Sequence, residues 1–269
     1  ALLECALLPP APPMLTILYR DQHLIAIDKP SGLLVHRTAL DRHETEFAVQ
    51  RLRDQIGQRV WPVHRLDRGT SGVLVFALDA VSAHALAQQF AQHLPAKRYL
   101  AVVRGHPPES GEIDHPLRRI DDAIDPRGAR EGAEPVAAQP AVTRYRRLAV
   151  AEMPVAIDRY PSSRYALVEA MPLTGRTHQI RRHMKHIAHP VIGDATYGKG
   201  AHNRYVAGLC GESRLLLACI HMHIRHPLSG AGIDLRCGPG TAFERLAEVF
   251  GWDAEVLRPE AAHPLCGSR

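Results

Sequence analysis

The densest chemistry in the chain is the run His64-Arg65-Leu66-Asp67-Arg68-Gly69-Thr70-Ser71-Gly72. One carboxylate stands among two arginines and an imidazole. Two glycines and two hydroxyls make the turn tight and rich in donors. A carboxylate held there can act as a nucleophile or a base. The same position also suits an ordinary turn or capping residue. Other active-site templates do not fit. Gly69-Thr70-Ser71-Gly72 is not the GxSxG of a nucleophile elbow, and it lacks the length and the lysine of a P-loop. A glycosidase needs a second carboxylate, and none lies nearby in sequence.

The second chemical signal is basic. No acid occurs from Ala170 to Gly193, a stretch that includes Gly175-Arg176-Thr177-His178-Gln179-Ile180-Arg181-Arg182-His183-Met184-Lys185-His186. Ile180, Met184 and Ile187 fall on one helical stripe, which predicts a buried face. Arg181 and Lys185 share a second stripe, and Arg182, His186 and His189 a third. Such a face suits anions, and backbone phosphates are the natural target. It also suits plain solvation. The three-residue spacing of His183, His186 and His189 invites a metal reading. However, those positions drift around a helix, no Cys or carboxylate joins them, and Arg182 and Lys185 repel a cation. No metal site is expected.

The elements that must position these groups are short. Leu15–Tyr19 and Leu24–Ile27 read as a hairpin, and Asp28-Lys29-Pro30-Ser31-Gly32 breaks the second strand. Residues 44–56 read as a helix with Ala48, Leu52 and Ile56 on one face. Val73–Leu78 is a buried strand, followed by a helix with Ala83, Leu86, Ala87 and Phe90 as its stripe. Strands are expected at 98–103, 141–150, 164–171 and 214–224. Residues 118–140, rich in Asp, Arg, Gly, Ala and Pro, read as a surface loop. Thr241-x-x-Glu244 reads as a capping box, with Phe243, Leu246, Ala247 and Phe250 behind it. Strands outnumber helices and do not alternate with them regularly, so the fold class is α+β with a mixed, largely antiparallel sheet.

Composition bounds the rest. The 269 residues carry 33 Lys and Arg against 28 Asp and Glu, a formal charge of +5 that permits an anionic partner without requiring one. The 17 His outnumber the 5 Phe, 2 Trp and 7 Tyr taken together, which widens the field to metal, pH sensing or RNA contact. No apolar run is long enough for a membrane span. The five cysteines, at 5, 210, 219, 237 and 266, are scattered and form no CxxC. A reduced, cytoplasmic setting is the expectation. So is a disordered extension at 1–13, a catalytic domain at 14–253 and a tail at 254–269.

Four motifs occur in order: Asp28-Lys29-Pro30-Ser31-Gly32; His64-Arg65-Leu66-Asp67 with Thr70-Ser71-Gly72; Lys97-Arg98-Tyr99-Leu100-Ala101-Val102-Val103-Arg104-Gly105; and Gly175-Arg176-Thr177-His178-Gln179-Ile180-Arg181 with His189-Pro190 and Gly193-Asp194. In this arrangement the chain resembles the RluA-type pseudouridine synthases from about Leu15 to Trp252. The resemblance implies isomerisation of uridine in RNA to its C-glycoside, without cofactor or metal, on an α+β fold with a central RNA cleft. It implies that Asp67 is the catalytic carboxylate, that Tyr99 packs by the base, that Arg181 pairs with Asp67 and that Arg65 helps to extrude the target nucleotide. Basic neighbours His64, Arg68, Arg176, His178, Arg182 and Lys185 are then expected to contact RNA.

Val35-His36-Arg37, Arg53–Gln58, Gln139–Thr143 and Met153–Ala156 resemble the branch that acts on tRNA, at uridine 65 of the acceptor stem. Ribosomal RNA is the alternative substrate, and a non-catalytic RNA-binding module the remote one. Gly69 departs from the Pro of that branch, which loosens the turn without removing a chemical group. The implied partner is tRNA, with no membrane and a monomeric protein. With structure starting near Met14, no additional N-terminal RNA-binding domain is expected.

Overall fold

A computed structural model describes residues 13–37, 44–120 and 137–258. The first 12 residues, the tail from 259 and the centre of the expected 118–140 loop lie outside the described residues.

The strands are β1 (Thr16–Arg20), β2 (Leu24–Lys29), β3 (Trp61–Pro62), β4 (Ser71–Ala77), β5 (Ala96–Arg104), β6 (Ser110–Asp114), β7 (Leu117–Arg118), β8 (Ala138–Gln139), β9 (Val142–Met153), β10 (Ser163–Pro172), β11 (Leu217–Arg225) and β12 (Gly232–Arg236). The helices are α1 (Ala48–Ile56), α2 (Ala80–Ala91), α3 (Gln179–His186), α4 (Gly200–Cys210) and α5 (Thr241–Phe250). The main sheet runs β1-β2-β4-β11-β5-β10-β9-β6, with β3 on β4 and β12 on β11. Its neighbours are antiparallel except β4 and β11, which pair in parallel through Ser71↔Ala218 and Gly72↔Cys219. The sheet is therefore mixed and largely antiparallel, as expected.

Side chains alternate across a strand, and the sheet buries both of its faces. On β5, Tyr99, Ala101 and Val103 join one core with Leu52 of α1, Leu86 of α2 and Ile180 and Met184 of α3. Leu100 and Val102 join the other, with Val206 and Cys210 of α4 and Phe243, Leu246 and Phe250 of α5. Each fully buried Val, Leu, Ile, Phe or Met among them contributes on the order of 1.5–3 kcal/mol. The apolar run of β4 from Val73 reads in sequence as a strand covered on both sides, and the strand is buried at every position.

Four local expectations change. Helix α4 has no clear sequence signal, because Gly200, Asn203 and Gly208 weaken it and its buried stripe begins with a polar residue, His202. The buried residues His202, Val206 and Cys210 recur every four residues, so packing against α5 sustains what propensity does not. Thr241 does not cap α5. Gly240 occupies the N-cap with no side-chain bond, and Thr241 is the first helical residue. The 118–140 segment is not all loop, because β7 and β8 pair at its two ends. The tail also begins with structure: Ala254–Leu257 forms a 3-10 turn that buries Leu257.

Candidate active site

The parallel pairing of β4 and β11 brings the predicted motifs together. The turn that precedes β4 carries Asp67 and closes with a Thr70 N–H to Asp67 carbonyl bond of 3.0 Å. Because β5 lies on the other side of β11, with Tyr99 opposite Cys219, the turn faces Tyr99. Helix α3 follows β10, next to β5, and brings Arg181 to the same place. Asp67, Tyr99, Arg65, Arg176, His178 and Arg181 all line one cavity of about 140 Å³. A wider hollow of about 810 Å³ opens among residues 13–16, 28–33 and 238–241. Its lining mixes Glu44, Glu46 and Glu212 with Arg51 and Arg214 and includes none of the catalytic candidates.

Arg181 is the centre of the site. Its Nη1 donates to Asp67 Oδ2 at 3.1 Å. Its other edge grips Asp194 in a two-point bond, Nε to Oδ2 at 2.6 Å and Nη2 to Oδ1 at 2.9 Å. Its guanidinium also lies 5.2 Å over the Tyr197 ring. Burial works against the Arg181 charge, but the Asp194 bonds and the charge of Asp67 outweigh it and raise the pKa. Burial likewise opposes the Asp194 charge. The Arg181 bonds and the N–H groups of Tyr197 and Thr196 outweigh it and hold that carboxyl below its usual range. Asp194 belongs to the fourth motif, but the sequence reading does not place it in the site. Its signal in sequence is the bare Gly193-Asp194 pair, which carries no trace of its partner 13 residues earlier.

Tyr99 sits deep. Burial, the Cys219 thiol and the Asp67 charge push its phenol well above the usual value, so it is a neutral ring with a proton to donate. Lys29, from the first motif, is fully buried beneath the turn. Its Nζ donates to the carbonyls of Pro30, Leu33 and Arg68 at 2.9, 2.7 and 3.1 Å. The Arg68 bond ties the 28–33 loop to the residue after Asp67. Burial lowers the Lys29 pKa to about 7, against the pull of Asp67 and Asp28.

The Gln of the fourth motif explains how α3 is aimed. Buried Gln179 accepts from the Arg176 N–H and the Thr174 hydroxyl, and donates to the Val142 carbonyl and Thr143 Oγ1. His183 is equally occupied: Nδ1 meets Thr143 Oγ1 at 2.9 Å and Nε2 the His115 carbonyl at 3.0 Å. His178 ends the preceding turn in a left-handed conformation, φ 55°, with Nδ1 3.2 Å from the Tyr197 hydroxyl and Nε2 3.9 Å from Asp67.

The basic residues expected to contact RNA divide into two groups. Arg65, Arg176 and His178 line the cavity, Lys185 is exposed on α3, and Arg182 leans outward to the Arg118 carbonyl at 2.9 Å. Two others are turned elsewhere. His64 accepts the Val75 N–H through Nε2 at 3.0 Å and stacks on Phe90 at 4.4 Å. Burial and nearby Lys97 lower its pKa to about 3, so this ring is a neutral strut of the turn. Arg68 donates to the Gly32 carbonyl at 3.1 Å and pairs with Glu44 at 2.7 Å, away from Asp67.

Residues 23–186 match the family model described as RNA pseudouridylate synthase. The chain is 46% identical over 244 residues to a Vibrio cholerae protein named tRNA pseudouridine synthase C, covering 91% of this chain and 99% of that protein. A protein of the same name from Haemophilus ducreyi is 50% identical over 238 residues, covering 88% and 96%. Among solved structures, human RNA pseudouridylate synthase domain containing 4 is similar with TM-score 0.60 and 26% identity, over 86% of this chain and 92% of that one. Human RNA pseudouridylate synthase domain containing 1 shares the fold with TM-score 0.64 at 22% identity, over 91% and 97%.

Proposed function

The chain belongs to the RNA pseudouridylate synthase family, and on that premise we propose that it isomerises a uridine of tRNA to pseudouridine, with Asp67 as the reacting carboxylate. The observation that carries the assignment is the arrangement around Arg181. One carboxylate, Asp67, faces a cavity rich in cations, while a second, Asp194, holds the guanidinium from behind.

The chemistry asks for little else. The N1–C1′ bond breaks, a C5–C1′ bond forms, C5 loses a proton and N1 gains one. The sum is an isomerisation, with no oxidant or co-reactant consumed. Asp67 supplies a carboxylate that attacks C1′ or C6, or takes a proton from the sugar. Arg181 positions that carboxylate and compensates its charge once RNA excludes water from the cleft. Tyr99 offers a ring face for the extruded base. Arg65 is placed to fill the vacated stack. Extrusion costs a few kcal/mol, and phosphate contacts along α3 offset it.

Uridine 65 of the acceptor stem is the position this reading favours, from the branch resemblance, and the names of the relatives support tRNA as the substrate. We place the reaction within residues 14–253, in a monomer working in the cytoplasm. No described helix is long and apolar enough to cross a membrane. The test uses wild type and Asp67→Asn on unmodified tRNA and ribosomal RNA transcripts, mapped by carbodiimide labelling and primer extension. A single wild-type stop in the tRNA acceptor stem, missing with Asp67→Asn, is the expected result. A stop only in ribosomal RNA overturns the substrate.

A further inference from the structure

One cation in the active cavity has no hydrogen-bond or ion-pair partner among the described residues. Lys97 stands two residues before Tyr99 on β5, so both side chains leave the same face of the sheet and line the same cavity. Its Nζ lies 3.9 Å from where a Cβ on Gly175 would stand, beside Arg176. Among the described residues it makes no hydrogen bond and no ion pair, and only the Cys219 thiol favours its charge. Burial accordingly lowers its pKa.

The contrast with its neighbours is informative. Lys29, fully buried where Lys97 is half-buried, is saturated by three carbonyls. Arg181 has two carboxylates. Lys97 is desolvated without return, which is costly unless something arrives to complete it. Its surroundings specify what. The cavity lining holds the fixed cations Arg65, Lys97, Arg176 and Arg181 against the single carboxylate Asp67, which Arg181 already engages. His93 feels the same charges: burial and the charges of Arg176 and Lys97 lower its pKa. Arg176 also lines an adjoining hollow of about 180 Å³ with Arg118 and Arg119. A neutral base carbonyl would leave this excess charge standing, whereas an anion cancels it.

We propose that Lys97, together with Arg176, binds a phosphodiester of the substrate RNA at the mouth of the active cavity, beside the uridine being isomerised. This rests on the RNA reading above and adds a phosphate subsite to it. Lys97 is then a substrate-binding residue whose partner is the RNA itself.

The test compares wild type with Lys97→Met, Lys97→Gln and Lys97→Arg as full chains. It reads affinity for an unmodified tRNA transcript between about 50 and 200 mM salt, the single-turnover rate of pseudouridine formation, and thermal unfolding without RNA. Removing the charge should weaken binding about tenfold at low salt and reduce the salt slope by about one, and Lys97→Arg should restore both. Without RNA, Lys97→Met and Lys97→Gln should unfold at the wild-type temperature or above it, because an uncompensated charge has gone. An unchanged salt slope overturns the proposal. If the loss then falls only on the single-turnover rate, the ammonium serves the base instead. A lowered unfolding temperature that Lys97→Arg restores, with binding intact, makes the residue structural and also overturns it. If wild type forms no pseudouridine in either RNA, the proposed function fails instead, and the salt slope for bound tRNA still decides the role of Lys97.

Discussion

Two loops hold the same guanidinium, and they hold it differently. The loop after Gly193 presents Asp194 with no exposed side-chain surface, a two-point bond to Arg181 and two backbone N–H groups on one carboxylate oxygen. The turn before β4 presents Asp67 with a fifth of its side chain exposed and a single 3.1 Å bond to the same arginine. The first carboxylate is consumed by its partners and serves as an anchor. The second keeps lone pairs directed at the cavity and is available to react. A guanidinium with five donors in a rigid fork can serve both at once, and a lysine cannot.

The surroundings repeat the contrast. A Cβ on Gly193, at φ +79°, would stand 1.7 Å from the Arg214 carbonyl oxygen, which is backbone and cannot yield. A Cβ on Gly69, in the Asp67 turn, would stand 2.9 Å from Leu215 Cβ, a milder overlap with a side-chain carbon. Two adjacent residues just before β11 thus clamp the anchor loop more tightly than the reactive turn.

The division of labour predicts separable defects. The largest is in rate: Asp67→Asn should lower turnover by at least about 10⁴-fold while the unfolding temperature stays near wild type. Equal losses of stability from Asp67→Asn and Asp194→Asn would break the comparison. Next, Asp194→Asn should cost about 3–5 kcal/mol of stability, because it strands a buried guanidinium, read as a fall in urea midpoint. Adding Arg181→Met should cost much less than the sum of the single changes, since the pair is coupled. Third, Gly193→Ala should destabilise by at least about 3 kcal/mol from overlap and left-handed strain, whereas Gly69→Ala should cost about 1 kcal/mol. Comparable costs at both glycines would show that the two loops are equally constrained.

The smallest effect is in acid. The Asp194 pKa is depressed in the folded protein, so its contribution is complete above the unfolded value, near 3.9. It is lost as pH falls through the folded value, because the unfolded chain takes up the proton first. Wild type should lose stability below about pH 4, and the Asp194→Asn protein should show a shallower loss over the same range.

What was legible in the sequence was local. Buried β4 reads off its unbroken apolar run, and α3 off Ile180, Met184 and Ile187, because a strand or helix writes its buried face into nearby residues. The resemblance carried by the four motifs located Asp67, Tyr99 and Arg181, and these do line one cavity. The inward turn of His64, the ion pair of Arg68, the existence of α4 and the anchoring by Asp194 were not legible. Each depends on a partner far along the chain or on a packing surface that no local pattern encodes. Asp67 and Arg181 are 114 residues apart. The sequence by itself determined the groups, their charge and the faces of the elements that carry them. Only the tertiary structure decided that β4 pairs in parallel with β11 while β5 flanks its other edge. That arrangement, stabilised by the cores on both faces of the sheet, sets one carboxylate deep as an anchor and leaves the other facing the cavity.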